Sequence, residues 1–251
     1  DPYAKGLRYL APLIADQIVA VSEFSLSGMR RSKARQNAEV VFSPFDVAAN
    51  ADRDAMRQRL LMELGADQNS ILCGYFGSFI DRKRPLEFIN AVSELRAMQD
   101  RPVIGVMFGE TTYPELEMAM RARMQEPDVN GSVHIMGYRT PGIDWIAAVD
   151  ALLVTAVSEP LGRTLVEAML VETPVIATRS GGNPEALLSD LGILVEPDDA
   201  HAMAAAALHT INDRDATRAM TTRAKESAKA RFSEATHVAK ITQIYRDLLA
   251  N

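Results

Sequence analysis

The 251-residue chain has one cysteine and one tryptophan, and aromatic residues make up 6% of it. A single cysteine excludes an internal disulfide, and the place of Cys73 in "SILCGYFG" marks it as a buried thiol packing as a small hydrophobe. No apolar run reaches the roughly 18 residues of a membrane-crossing helix, and no signal-peptide pattern opens the chain. A reducing, cytoplasmic compartment is the expectation, with peripheral membrane attachment of a longer protein left open. The histidines, His134, His201, His209 and His237, show no metal-ligand spacing. No strand is followed by G-x-G-x-x-G, which argues against a Rossmann oxidoreductase, and no Walker loop is present. Positive charge is in short supply too: 27 Lys and Arg against 33 Asp and Glu give a net charge of -6. That excludes whole-chain electrostatic binding of nucleic acid, though not a local basic pocket for phosphate.

What the chain does have is β-type runs alternating with helical patterns. The strands predicted are 17–22, 38–43, 70–77, 102–109, 131–137, 151–157, 174–179 and 192–197, rich in Val, Ile and Leu and mostly without polar alternation. Such runs suit strands buried on both faces. Helical patterns lie near 52–65, 84–99, 114–125, 143–149, 163–172 and 183–188, then near 199–211, 214–231 and 234–250 with no further strand. The alternation predicts an α/β fold, a Rossmann-like doubly wound parallel sheet with a helical C-terminal segment. Residues 1–45 read either as the remnant of another domain or as an extension of the same sheet. Residues 46–232 form the main domain and 233–251 a terminal helix. Asp1 in place of an initiator Met leads to the expectation that the chain is part of a longer polypeptide.

The stretch "SEPLGRTLVEAM", residues 158–169, carries two glutamates eight positions apart around a glycine turn that opens a helix. Ligands of open parallel sheets bind at the carboxyl ends of strands, where this stretch begins. The first N–H groups of the helix are unpaired and suit a pyrophosphate. Gly162 lets backbone approach a ligand, and Thr164 adds a hydroxyl. Carboxylates do not belong beside bare phosphate, but each is able to accept two hydrogen bonds from a vicinal diol. A diol on either side of a diphosphate describes a nucleotide-sugar. The competing reading makes Glu159 a helix cap and Glu167 a solvated helix residue.

The order of segments resembles the donor half of a GT-B glycosyltransferase of the retaining family 4, the glycosyl transferases group 1. The segments are "ADQIVAVSEFSLSGM", "VVFSPFD", "GYFGSFIDRKRPLEFINAVSEL", "VHIMGY", "SEPLGRTLVEAML" and "TPVIATRSGGNPEAL". The resemblance implies that Gly77 lets a loop approach phosphate and that Lys83 neutralises the pyrophosphate. It implies base contacts from the backbone of Tyr138 and Arg139, and transferred-sugar contacts from Glu159, the catalytic candidate. Gly162, Arg163, Thr164 and Leu165 would present N–H groups, and Glu167 would take the ribose diol. Ser78 stands where Arg is usual in the family, with Arg82 or Arg84 as compensation; Glu172 and Ser43-Pro44 also depart from the pattern. Family members are metal-independent, so no metal or other cofactor is expected beyond the nucleotide-diphosphate sugar. The two "DRD" triplets, at Asp52–Asp54 and Asp213–Asp215, read as helix caps.

GT-B enzymes have two such domains, so the expectation is a donor-binding chain that transfers little sugar alone. Its missing partner is an N-terminal domain, its acceptor is unread, and self-association through residues 1–45 is open. A GT-B nucleotide-sugar epimerase and a non-catalytic nucleotide-sugar-binding module remain as alternatives. Trp145 is expected as a packing anchor, the methionines Met118, Met120 and Met124 as core, and the Lys/Arg face of 214–231 as solvated.

Overall fold

The computed structural model describes residues 15–27, 37–48 and 50–250. Six parallel strands make the main sheet: β3 Ile71–Phe76, β4 Val103–Phe108, β5 Val133–Ile135, β6 Ala151–Val154, β7 Val175–Thr178 and β8 Ile193–Val195. Their spatial order is β5-β4-β3-β6-β7-β8, so the chain winds outward from β3, first to one edge and then, from β6, to the other. The reversal lies between β3 and β6, which pair through Cys73 with Ala151 and Gly74 with Leu152. That switch point is where doubly wound sheets leave a crevice.

Strand side chains alternate between two cores, which is why the strands read as unbroken apolar runs. Leu72, Phe76, Val106, Leu152, Val154, Val175 and Ala177 enter one core. They meet helices α2 Arg53–Leu64, α5 Gly142–Ala147, α6 Arg163–Leu170, α7 Asn183–Leu187 and α9 Arg214–Arg231. Ile71, Cys73, Tyr75, Met107, Leu153 and Ile176 enter the other, under α3 Pro85–Ala97, α4 Pro114–Arg123 and α8 Ala200–Asn212. The helix ends follow sequence punctuation. Asp52 and Asp213 accept the N–H of Ala55 and Ala216 as N-caps, as expected of the two triplets. Gly65 closes α2 in the left-handed conformation at φ 61°. The strands are shorter than the apolar runs because their last residues leave the ladder to build loops.

The opening segment does not extend this sheet. β1 Ile18–Ala20 and β2 Ala38–Val40 pair with each other in a separate two-stranded parallel sheet, and α1 Glu23–Ser27 follows β1. Residues 1–14 and 28–36, on which the rest of the expectation for 1–45 falls, lie outside the described residues. The opening segment is tied to the large domain through Glu185 and through Phe42 and Phe45. Glu185 accepts the N–H groups of Glu23 at 2.7 Å and Phe24 at 2.8 Å, capping α1. Phe42 and Phe45 set their rings against Phe232, 4.9 Å and 6.0 Å away. The final helix, α10 Glu234–Ala250, buries only Ile244. Trp145 is buried as expected, and so is Met120, but Met118 is 64% exposed: α4 turns its first, acidic turns to solvent and buries only Met120.

Among the described residues, no helix is long and apolar enough to cross a membrane.

Candidate functional site

A narrow cleft opens at the carboxyl ends of β3 and β6, beside the switch point. Tyr75, Lys83, Thr155, Glu159, Gly162 and Thr164 line it. The loops after β3 and β6 line it, the loop after β7 presses on the β6 loop, and the loop after β5 borders the same rim.

The first loop follows β3. Gly77 has φ 141°, open only to glycine, and a Cβ there would stand 2.8 Å from Lys83 Nζ. The chain then turns through a 3-10 element, Asp81–Lys83, and Arg84 takes a left-handed φ of 50° as it enters α3. Thr155 Oγ1 donates to the carbonyls of Lys83 and Arg84 at 2.9 and 3.0 Å, and Val157 N–H donates to Arg82 at 2.8 Å. The ammonium of Lys83 is thereby carried across to the β6 side. It has no hydrogen-bond or ion-pair partner among the described residues.

The second loop, after β6, carries the paired glutamates. Glu159 is not a helix cap; no side chain among the described residues caps α6. Its carboxylate pairs with Arg82 Nη1, and only 12% of the Glu159 side chain is exposed. Gly162 sits at the N-cap position with an ordinary φ of -70°, so backbone freedom is not what requires glycine here. Space does: a Cβ would stand 3.1 Å from Asn183 Oδ1. The first amides of α6, at Arg163, Thr164 and Leu165, face the cleft mouth without a capping group, while the Leu165 side chain is buried. Glu167, one turn on, is half-buried, which pushes its carboxyl up from the ordinary value. Arg163 and Lys83 oppose that shift, which places both cations within electrostatic reach of Glu167. The solvated-helix reading of Glu167 therefore fails. The guanidinium of Arg163 itself lies 4.4 Å over the Phe45 ring.

The third loop lies in the quoted "TPVIATRSGGNPEAL", but its glycines were given no role in the sequence. Gly181, at φ 62°, and Gly182 press against the Glu159 loop. A Cβ on Gly181 would meet Glu159 O at 2.4 Å, and one on Gly182 would meet Pro160 O at 2.2 Å. Gly182 N–H donates to Glu159 O at 2.7 Å, and Ser158 N–H to Ser180 Oγ at 3.0 Å. The "SGG" of the quoted motif thus fixes where Glu159 stands. The signal was visible, but its target is not adjacent in sequence. Tyr75 and Thr155 were also missed, as strand-end residues without a motif of their own.

The fourth loop follows β5. Gly137, at φ 71°, hands its carbonyl to Gly109 N–H at 3.0 Å. Tyr138 is 73% exposed. The Arg139 guanidinium stacks 4.5 Å over Trp145 and pairs with Glu63, so its side chain is committed to the fold. Of the residues offered to replace the missing loop arginine, Arg82 is committed to Glu159 and Arg84 is turned to Asp198 at 3.2 Å. Ser78 is exposed, its carbonyl accepting the Tyr75 hydroxyl at 3.1 Å. The structure brings Gly77, Lys83, Glu159, Gly162, Thr164 and Glu167 together, and sets Tyr138 and Arg139 at a separate loop of the same rim. No group of three or more His, Cys, Asp or Glu gathers as metal ligands among the described residues.

Residues 70–213, more than half of the chain, match the family described as glycosyl transferases group 1. The chain belongs to that family. It is 25% identical over 251 residues to N-acetyl-alpha-D-glucosaminyl L-malate synthase of Bacillus anthracis, covering 99% of this chain and 64% of that protein. It is 31% identical over 204 residues to D-inositol 3-phosphate glycosyltransferase of Corynebacterium glutamicum, covering 79% of this chain and 48% of that one. This group 1 chain therefore spans about half to two thirds of the length of those relatives. Among solved structures, Anabaena Alr3699/HepE in complex with UDP and glucose superposes with a TM-score of 0.85 at 23% identity, covering 94% of this chain and 64% of that one. The expected Rossmann-like fold of the GT-B donor side is the fold observed.

Proposed function

We propose that this chain is the donor-binding part of a retaining, metal-independent glycosyltransferase that uses a nucleotide-diphosphate sugar. The observation that supports this most is the position of Lys83. Its unpartnered ammonium lies between Gly77 and Glu167, beside the uncapped start of α6. A diphosphate placed there meets a cation and free amides together, and these stabilise the negative charge that grows on a departing nucleoside diphosphate. Glu167 takes the ribose diol on one side, and Glu159, held by Arg82, takes hydroxyls of the transferred sugar on the other. Charge-assisted hydrogen bonds to a diol suit both carboxylates.

Residues 1–45 then belong with an acceptor-side domain, residues 46–232 bind donor, and 233–251 form the closing helix. With one wall of the cleft supplied from elsewhere, the chain alone binds donor and turns over little or none of it. Calorimetric titration with UDP, GDP and ADP tests the reading, UDP first because it accompanies Alr3699/HepE. Binding of one of the three, weakened in Lys83→Ala, supports it. Absence of binding to all three, or rapid sugar transfer by the chain alone, contradicts it.

A further inference from the structure

The donor cleft uses the carboxyl ends of the strands. At their opposite ends, just before β3, β4, β6 and β7, lies a second concavity of about 630 Å³. Five arginines line it: Arg53 and Arg57 from α2, Arg101 from the approach to β4, and Arg214 and Arg218 from α9. Two carboxylates, Asp150 and Glu172, stand among them. Both are already engaged. Asp150 Oδ2 accepts Arg57 Nη1 at 2.8 Å and Leu72 N–H at 2.7 Å. Glu172 accepts Lys225 at 2.9 Å and the Thr222 hydroxyl at 3.1 Å.

Four of the five arginines therefore form no ion pair among the described residues. Arg53 is held by the Glu172 carbonyl at 3.0 Å and the Thr173 hydroxyl at 2.9 Å, and Arg101 by the Asn69 carbonyl at 3.0 Å. Arg214 and Arg218 are exposed, and their side chains have no partner among the described residues. Five arginines against two carboxylates leave an excess of positive charge, in a chain whose net charge is -6, although Asp150 and Glu172 both act electrostatically on Arg53. The geometry is ordered as well. Arg53 and Arg57 are four residues apart on one helix, and Arg214 and Arg218 four apart on another, so each pair shares a helix face. Two arginine pairs thus look into one groove. Guanidinium forks match phosphate oxygens better than they match any neutral ligand.

We propose that this groove is a second anion site, taking a phosphate-bearing ligand independently of the donor cleft. The phosphate comes either from a soluble phosphoanion or from a lipid headgroup, and the test separates these sources. Inorganic pyrophosphate is titrated into the purified chain, into Lys83→Ala to weaken the donor cleft, and into the double variant Arg214→Ala/Arg218→Ala. The same proteins are sedimented with phosphatidylglycerol vesicles and with phosphatidylcholine vesicles. Arg214 and Arg218 are surface positions, so an unchanged melting temperature accompanies the double variant.

A soluble ligand is indicated by saturable pyrophosphate binding that survives in Lys83→Ala and weakens on the order of tenfold or more in the double variant. Pyrophosphate then also protects Arg214 and Arg218 from phenylglyoxal, and its affinity falls with added salt. A headgroup is indicated when pyrophosphate does not bind but phosphatidylglycerol vesicles do, with that binding lost in the double variant. The proposal is overturned if neither probe binds, or if the double variant binds both as wild type does. Pyrophosphate binding abolished by Lys83→Ala and untouched in the double variant would assign the anion to the donor cleft and overturn it equally.

Discussion

The two rims of the same six-stranded sheet treat their charges differently. At the amino-end rim, Arg57 and Arg53 are fastened to backbone carbonyls, and Asp150 takes a guanidinium and a backbone N–H together. These bonds tie α2 to the starts of β3 and β6, and they serve the fold. At the carboxyl-end rim, among the described residues, Lys83 has no hydrogen-bond or ion-pair partner, no side chain caps α6, and Glu167 is half-buried with its carboxyl pushed up. Such an arrangement costs stability and fits the ligand role proposed for this rim. At both rims the groups satisfied within the chain hold the structure, and those left without an ion pair among the described residues, Lys83 at one rim and Arg214 and Arg218 at the other, are the ones assigned to ligands by the two proposals.

Variants are able to sharpen or break that contrast. The largest effect is expected from Gly181→Ala, which puts a Cβ into the Glu159 carbonyl at a left-handed backbone position. A loss of about 3 kcal/mol or more follows, together with loss of nucleotide binding. Denaturant unfolding and calorimetry read the two effects; a stable variant would show the SGG turn to be loose. Asp150→Ala comes next. It leaves Arg57 unpaired and the Leu72 N–H without its acceptor, at about 2 kcal/mol, since both side chains keep some solvent contact. Nucleotide affinity should stay at the wild-type value, and a fall in affinity would merge the two rims that the structure separates.

Glu167→Gln is expected to act in the opposite sense, weakening nucleotide binding on the order of tenfold while sparing stability. Its pH dependence has a definite sign. A carboxyl raised above its ordinary 4.5 holds its proton more tightly in the native state. The stability it contributes is full below the unfolded value and is lost as pH rises through the higher native value. Chemical unfolding from pH 4 upward should therefore show the glutamine variant gaining on wild type across that window. The smallest effect concerns Glu172, which stands at a left-handed φ of 57°. Glu172→Gly relieves the backbone but loses Lys225 and Thr222, so thermal unfolding should shift by less than about 1 kcal/mol.

The sheet was legible because each strand carries a local signal: apolar residues feeding two cores in alternation leave no polar gap. Strand ends were less legible, since Gly77, Gly109 and Gly137 sit at positive φ in loops that continue the apolar runs. The glutamates of 158–169 announced themselves through a turn and a helix start within one short segment. The Arg82–Glu159 pair did not, because 77 positions separate its members. The press of Gly181 on Glu159 and the arginine groove were hidden for the same reason. Each depends on which strand lies beside which, and the order β3-β6 is a property of the folded sheet. The basic face of α9 is solvated as expected at Arg214, Arg218, Arg223 and Lys229, but the groove it borders is not visible from a single helix.

The central claim is that Glu167 reads a ribose diol. It is tested most directly with the nucleoside diphosphate that binds and its 2′,3′-dideoxy analogue, each titrated into wild type and Glu167→Gln. Wild type should lose on the order of tenfold in affinity for the dideoxy compound, and the variant should bind both forms equally. Equal affinity of wild type for the two forms, or an undiminished preference in the variant, would contradict the claim.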